Sequence, residues 1–340
     1  MSYRAPSPLA PSILAPSTVE ILPHDALRVG DVTVSFQRTL RIPDDGRRYP
    51  LPPGLGRFPI RPVDAYGERV PAAMREKGGV MIPMHQREAM WLHFSGPPRA
   101  LKVGVGKVCA ITGEPWQPGL SACPQGYVVT GVQPWLDGIA TGTGTIRQFV
   151  AMPLGMGYTV EGQLTGEERH GGLQLEAFAP KPGRLPPPPP AAPMCAMALG
   201  QPLMAMAPAP RAASMGLAAG GRMEQKIYPD PHGVDTWDPA VHARCFVHIV
   251  AAEAWREITG EEPPATPITP QTYAQHGYPW FQLDDAGQPA LAGSEKLAGV
   301  KSIAEKDTAT FGAPLSDERP VAAWPVKRLA RLGLVRDGGW

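Results

Sequence analysis

Three side chains that can bind metals recur at three-residue intervals in the second half of the chain: His242, Cys245 and His248. Imidazole nitrogen and thiolate sulfur are common ligands of zinc and copper. In the α-helix predicted over 239–259, the two histidines would point about 120° apart with Cys245 between them. A metal site here would need a further ligand from elsewhere, and packing of Cys245 into a core is the simpler interpretation.

A second group of chemically capable residues is His85, Arg87 and Glu88, within PMHQREAMWLHF at 83–94. A histidine and a carboxylate can serve as general acid and base. The same residues could instead form the polar face of a strand or short helix whose other face carries Met90 and Trp91. They are candidates for an enzyme site only if folding brings them together, for example with Arg147.

Aromatic residues stand in segments rich in proline and glycine, such as PWLDG at 134–138 and GYPWF at 277–281. Large aromatic side chains often anchor interfaces, although they are also ordinary core residues. We predict an interaction surface that uses five aromatic residues: Trp91, Trp135, Tyr278, Trp280 and Trp340. A pocket lined by Trp91, Trp135 and Phe149 is an alternative, in which the β-rich domain would hold a small ligand.

The elements that would position these groups are mostly strands. From Val32 to Ile42 apolar and polar residues alternate, which predicts a half-buried strand, and PDDG at 43–46 predicts a turn. Alternation recurs at 158–165 and 173–177, which together predict a hairpin. Several short strands separated by glycine and proline favour a β-sandwich or partly open β-barrel over residues 21–180.

The composition changes after residue 180. Five consecutive prolines occupy 186–190, and alanine, proline and methionine dominate as far as residue 221. This segment, 181–221, is predicted to be a disordered linker with a short polyproline II rod. Residues 1–20, rich in proline, serine and alanine, are predicted to be a flexible arm.

Residues 222–340 are predicted to form a small, mainly helical domain with an extended tail. Asp238 and Pro239 suit the N-cap and first position of a helix. Apolar residues three and four apart follow, and Gly260 suits a left-handed C-cap. The predicted fold class is therefore α+β, with a β-sandwich or partly open β-barrel, a disordered linker and a small helical domain.

Charge and cysteine content exclude several classes of function. With 32 lysines and arginines against 31 aspartates and glutamates, the net charge is +1, so binding along a nucleic-acid backbone is not expected. Prolines interrupt both the N-terminal segment and the uncharged segment 185–210, so we expect neither a signal peptide nor a membrane span. The four cysteines form no CxxC pair, which favours reduced thiols and a cytoplasmic location.

Several segments of the sequence form a characteristic set: YPLPPGLGRFP at 49–59, MIPMHQREAMW at 81–91, ALKVGVGKV at 100–108, TIRQFVAMPLGMGYTVEGQLTG at 145–166 and YPDPHGVDTWD at 228–238. Together they resemble a family of uncharacterised proteins from bacteria and fungi. The resemblance spans most of the chain outside the arm and linker and implies one evolutionary unit. That family has no established activity, so the resemblance assigns no catalytic residue.

From these observations we expect a structural or protein-interaction protein without a cofactor. A net charge near zero weakens repulsion between copies, and edge strands can pair with another chain. Self-association through the β-rich domain and its aromatic loops, or binding of another protein, would follow. An enzyme or metal-binding protein using either polar group is one alternative, and a small-ligand carrier is another.

Overall fold

The computed structural model describes residues 18–186, 213–265, 267–270, 279–285, 287–315 and 326–330. Strands dominate these residues, as the short alternating segments predict. The strands are β1 (Val19–Leu22), β2 (Ala26–Val29), β3 (Val32–Thr39), β4 (Arg48–Tyr49), β5 (Arg61–Pro62), β6 (Val80–Met84), β7 (Ala89–Ser95), β8 (Ala100–Val105), β9 (Val108–Cys109), β10 (Val128–Val129), β11 (Trp135–Leu136), β12 (Gly138–Gly142), β13 (Thr145–Pro153), β14 (Leu173–Pro180), β15 (Ser214–Glu224), β16 (Trp237–Ala251), β17 (Trp280–Asp284) and β18 (Val326–Ala330).

Short helices accompany the strands. Those with described bounds are α1 (Ala72–Lys77), α2 (Val160–Thr165), α3 (Ala252–Thr259), α4 (Glu295–Ala298) and α5 (Ile303–Phe311), with 3-10 helices at Val63–Arg69 and Val234–Thr236. The side chains of Thr159, Ser294 and Ser302 cap α2, α4 and α5 by accepting a backbone N–H of the first turn. No helix of the described residues is long and apolar enough to cross a membrane.

Sixteen of the described strands form one mostly antiparallel sheet. Its main path is β1-β2-β3-β7-β13-β15-β16-β14-β8-β10. Because β1 and β2 also contact β16, which lies far along this path, the sheet curves back on itself. β17 and β18 form a separate parallel pair, and Leu51 joins β17 to the rest through two backbone hydrogen bonds with Phe281.

The strand predicted from Val32 to Ile42 is confirmed as β3, between β2 and β7. Its apolar residues, such as Val34 and Phe36, belong to the large core. Most polar side chains on its other face are buried as well, namely Ser35, Gln37 and Thr39, and Gln37 Nε2 donates to Ser35 Oγ at 2.9 Å. β3 is therefore covered on both faces rather than half-buried.

The hairpin predicted from 158–165 and 173–177 is wrong in its first half. Residues Val160–Thr165 form α2, with Thr159 as the N-cap and Gly166 in a left-handed C-cap. The second half is a strand, β14, but it pairs with β8 and β16. The two capping residues make a helical turn favourable in a segment whose alternation predicted a strand.

The helix predicted over 239–259 is wrong for most of its length. Trp237–Ala251 form the strand β16, and only Ala252–Thr259 are helical. Asp238 lies in the strand rather than at a helix N-cap, whereas Gly260 ends α3 in the predicted left-handed conformation. Apolar residues at 243, 245, 247 and 249 also fit a period of two, and pairing with β14 selects that period.

The sheet continues across the predicted boundary between residues 221 and 222. Residues 214–221, assigned to the linker by composition, belong to β15, which pairs with β13, while β16 pairs with β14. The structure therefore shows an α+β protein with a large β-rich sheet, and a separate helical C-terminal domain is not confirmed. The predicted arm before residue 18 and linker residues 187–212 lie outside the described residues.

A buried ion pair fastens α5 to the sheet. Asp307 is fully buried, and its two carboxylate oxygens accept from the Arg87 guanidinium at 3.2 and 2.6 Å. The Tyr158 hydroxyl donates to the same carboxylate at 2.8 Å. A charge removed from water needs such partners, so α5 docks where Arg87 and Tyr158 meet Asp307.

Replacing Asp307 by Asn tests this docking. The variant removes the buried negative charge that is paired with Arg87, so the free energy of unfolding should fall by about 3 kcal/mol in urea denaturation. Glu68→Gln, an exposed change in the 3-10 helix Val63–Arg69, is the matched control and should leave stability unchanged. Equal stability of Asp307→Asn and the wild type would contradict the assignment.

Candidate functional site

A surface cleft of about 270 Å3 lies where β8, β14 and β16 meet neighbouring loops. Strand residues in its lining include Gln174, Phe246 and His248, and loop residues include Lys107 and Trp116. This volume is slightly below the range of about 300–1,000 Å3 common for drug-sized ligands. The cleft therefore suits a small molecule.

Strand register places a polar row beside the cleft. On β14, Glu176 lies opposite Lys102 of β8 and Arg244 of β16. Gln174, two residues earlier and on the same face, lies opposite Phe246. The three central strands thus present charge and an aromatic ring on the face turned away from their apolar residues.

Cations and aromatic rings alternate along this face. Lys102 Nζ is 4.4 Å from the centroid of the Trp116 ring, and Arg244 Cζ is 5.6 Å from the same ring. Arg244 Cζ is also 4.8 Å from the centroid of the Phe246 ring, and Lys77 Nζ lies 5.6 Å from the same centroid. We call Lys102, Trp116, Arg244, Phe246 and Lys77 the cation–π ladder. Ring faces attract cations, so the ladder holds three positive side chains close together.

Hydrogen bonds hold the ladder in place. Lys102 Nζ donates to the carbonyl oxygens of Gln117 and, at 2.8 Å, Gly119, which ties the loop carrying Trp116 to the sheet. Arg244 donates to Gln174 Oε1. Burial is the main cause that lowers the pKa of Lys102. The lysine is thus a structural support behind the ring, while Lys77 and Arg244 line the cleft itself.

Two histidines also line the cleft. His248 is buried, its Nε2 lies 2.9 Å from the Gly78 carbonyl oxygen, and burial lowers its pKa. Burial likewise lowers the pKa of His170, and the charges of Lys107 and Lys77 lower it further. Both imidazoles are therefore mainly neutral at pH 7.

The buried carboxylate of Glu161 joins the two loops that carry Lys107 and His170. Its oxygens accept from the backbone N–H of Lys107 at 3.2 Å and of Gly171 at 3.0 Å. Gly106 has φ 55°, and a Cβ there would lie 2.5 Å from the Glu161 carboxyl group. Because only glycine allows this approach, Glu161 and Gly106 together position the cleft residues.

The residues that line the cleft include basic side chains but no acidic ones. The basic residues are Lys77, Lys107 and Arg244. Within the described ranges, no group of three or more histidine, cysteine, aspartate or glutamate residues could hold a metal ion. The side chains present can attract a negatively charged group and donate hydrogen bonds to it.

The structure does not bring His242, Cys245 and His248 together. On a strand, residues three apart lie on opposite faces. Cys245 is buried in the core, where burial raises the pKa of its thiol to about 12. His242 is exposed and stacks on Phe178 with ring centroids 5.3 Å apart. Only His248 lies in the cleft.

The aromatic residues predicted to form an interaction surface are mostly inside the protein. Trp91, Trp135 and Trp280 are 4%, 3% and 2% exposed and belong to the large core. Phe149, predicted with two of them to line a pocket, is buried in that core as well. Tyr278 and Trp340 lie outside the described residues.

His85, Arg87 and Glu88 each make a different structural contact. Glu88 is buried, its Oε1 accepts from Arg38 at 2.9 and 3.1 Å, and its Oε2 accepts from the His85 backbone N–H at 2.9 Å. Burial is the largest effect on Glu88 and raises its pKa. The His85 ring lies 2.7 Å from the Pro264 carbonyl oxygen, and Arg87 pairs with α5. These residues do not line the cleft.

Sequence reasoning missed the residues that do line it, above all Trp116, His170, Arg244 and Phe246. For Arg244 and Phe246, the sequence did contain a signal. Between 243 and 249, apolar residues at odd positions alternate with Arg244, Phe246 and His248 at even ones. Read as a strand, this segment would have placed those three side chains on one face.

No protein-family description matches the chain, and no curated protein or solved structure is detectably similar to it. The resemblance to bacterial and fungal proteins therefore stays a prediction. Function has to be argued from the side chains of the cleft.

Asp137, in the PWLDG segment, is a fully buried carboxyl group away from the cleft. Neither of its oxygens has a hydrogen-bond partner of good geometry among the described residues. The Trp135 indole lowers its pKa somewhat, but burial dominates and raises that pKa well above the usual range. Asp137 keeps its proton when folded and loses it when unfolded, so it costs stability as the pH rises above about 4.

Asp137→Asn removes this pH-dependent cost. Relative to the wild type, the variant should gain unfolding free energy as the pH rises from 4 to 7, by up to about 1.4 kcal/mol per pH unit. Urea denaturation at several pH values measures the difference. The exposed change Asp64→Asn is the control and should show no such trend. A difference between Asp137→Asn and wild type that does not vary with pH would contradict the assignment.

Proposed function

We propose that the protein binds a small anionic molecule in the cleft. The observation that supports this most directly is that Lys77, Lys107 and Arg244 converge on a concave site whose lining contains no acidic residue. Isolated cations on a protein surface are ordinary. Several cations around one concavity create a local positive potential that attracts anions.

Nearby acidic residues neutralise only part of this positive charge. The buried Glu176 lies opposite both Lys102 and Arg244, so one carboxylate faces two cations. Glu167 lies 3.4 Å from Lys107 Nζ, but the two side chains are 54% and 42% exposed. Exposed pairs of this kind contribute little, and water or a ligand competes easily for the lysine.

The cleft also offers apolar surface. Trp116, Phe246, Leu173 and Pro115 are among its lining residues. Their presence favours an anion with an organic part over a bare inorganic ion, since the organic part would bury against them. A small-ligand carrier is thus the best-supported of the expected functions, at a site other than the one expected.

Self-association remains a prediction, and the described residues do not present the aromatic surface on which it depended. Trp91, Trp135 and Trp280, on which it depended, are buried within this chain. An aromatic side chain in the core of one copy cannot anchor another copy without rearrangement.

Benzoate is a suitable probe because it joins one carboxylate to one ring. Isothermal titration calorimetry at low salt should detect its binding to the wild-type protein. Lys77→Met and Lys107→Met should each weaken binding roughly fivefold, as expected for about 1 kcal/mol of attraction at a hydrated surface. Added salt should weaken binding as well, because it screens exposed charges.

Lys301→Met is the matched control, since Lys301 is exposed and is not among the cleft residues. It should bind benzoate like the wild type. Absence of binding by benzoate, acetate and inorganic phosphate alike would exclude an anion site. So would equal losses of affinity in Lys301→Met and the cleft variants.

Benzoate binding should tighten as the pH falls from 8 towards 6. A bound carboxylate favours the protonated forms of His170 and His248, whose pKa values are lowered in the free protein. Binding then takes up protons, so affinity rises towards acid pH by up to about tenfold per pH unit for one proton. Benzoate itself stays ionised in this range, with a carboxyl pKa of about 4.

Replacing His170 by Gln should flatten this dependence, as measured by calorimetry at pH 6, 7 and 8. His232→Gln, an exposed substitution outside the cleft, should leave it unchanged. Affinity that is constant or rises with pH in the wild type would contradict proton uptake by the cleft histidines.

A further inference from the structure

We infer that the ligand is a small phosphate monoester whose dianionic phosphoryl group is held by Lys77, Lys107 and Arg244. This inference rests on the proposed function and narrows it from anions in general to one chemical class. Its basis is the amount of positive charge, the type of hydrogen-bond donors and the size of the cleft.

The positive charge exceeds what one negative charge would neutralise. In the described ranges, the contacts of Lys77 and Arg244 are with neutral groups: the Phe246 ring for both, and the Trp116 ring and Gln174 amide for Arg244. With Lys102 behind the ring, four cations stand against two buried carboxylates, Glu161 and Glu176, and Lys107 also lies near the exposed Glu167. Because the exposed pair contributes little, roughly two positive charges are left over, and a dianion matches them better than a carboxylate does.

The donors suit phosphoryl oxygens. Arg244 Cζ lies 5.6 and 4.8 Å from the centroids of two aromatic rings, and the guanidinium group also donates to Gln174, so these contacts restrain the side chain. A restrained guanidinium presents a planar fork of N–H donors that fits phosphate, and lysines add point charges without directional demands. The nearby backbone N–H groups of Lys107 and Gly171 are already bonded to Glu161, so the side chains must supply the binding.

The remaining surface limits the ester group. Beside the cations, the cleft offers Pro115, Trp116, Leu173 and Phe246 as apolar contacts. A volume of about 270 Å3 leaves room for a compact organic group next to the phosphoryl group. The structure thus favours a monoester of about the size of phenyl phosphate.

Phenyl phosphate and phenyl sulfate form a matched pair that tests the charge. They have the same shape, but at pH 7.5 the phosphate is mainly dianionic, with a second pKa of about 6, whereas the sulfate carries a single charge. Calorimetry at low salt should show phenyl phosphate binding at least about tenfold more tightly than phenyl sulfate or benzoate. In the double variant Lys77→Met/Lys107→Met this ratio should fall close to one.

The outcomes separate the two proposals. Equal or tighter binding of phenyl sulfate or benzoate would overturn the phosphate monoester and leave the anion site standing. Failure of all three probes would overturn both. Inorganic phosphate that binds as tightly as phenyl phosphate would overturn the role of the ester group.

Folding of the variants can be checked independently. Lys77 is exposed and Lys107 is half-buried, so the double variant should unfold thermally near the wild-type midpoint. Phenyl phosphate should raise that midpoint in the wild type and in Lys301→Met, but not in the double variant. A ligand-induced rise that the double variant retains would overturn the assignment of the two lysines.

Discussion

The antiparallel register between β14 and β16 determines both the core and the cleft of this protein. With Leu173 opposite Val247 and Leu175 opposite Cys245, the apolar residues of both strands share one face. The intervening residues, among them Glu176 and Arg244, share the other. A slip of one residue would turn the charged set into the core and expose the apolar set, so burial fixes the register strongly. The same constraint that builds the core therefore places the cations of the cleft.

Charged residues serve two different purposes in this structure, and burial separates them. Glu88 and Asp307 are buried, and each is matched to an arginine through two hydrogen bonds. Removing one partner of such a pair is costly, so these groups are held in place rather than available to a substrate. Lys77 and Arg244 are exposed, and water can solvate them when the cleft is empty. Only charges of the second kind can exchange water for a ligand at little cost.

Local pattern predicted the β-rich character of the chain and the individual strands β3 and β14. It failed at 239–259 because the apolar residues there fit a period of 3.6 and a period of two. An isolated helix and a paired strand are both compatible with such a segment, and the choice depends on a partner strand more than sixty residues earlier. The correct prediction of Gly260 as a left-handed cap shows the contrast, since a cap depends on a few adjacent residues. The prediction that the tryptophans form an interaction surface failed for a related reason. Residue type alone does not reveal which side of a sheet faces a second layer.

The cleft itself could not be derived from spacing, because its residues come from separate elements. Lys77 ends α1, Trp116 follows β9, His170 follows α2 and Arg244 lies on β16. They are brought together by close approach between separate segments, and Gly104 is a position where this approach leaves no room for a side chain. A Cβ at Gly104 would lie 2.6 Å from the Trp116 ring, so a larger residue on β8 would push the indole away from the sheet. The indole would then move away from Arg244, and the guanidinium group would lose its contact with one of the two aromatic rings near it. A residue without a side chain thus controls the orientation of the side chain best suited to bind an anion.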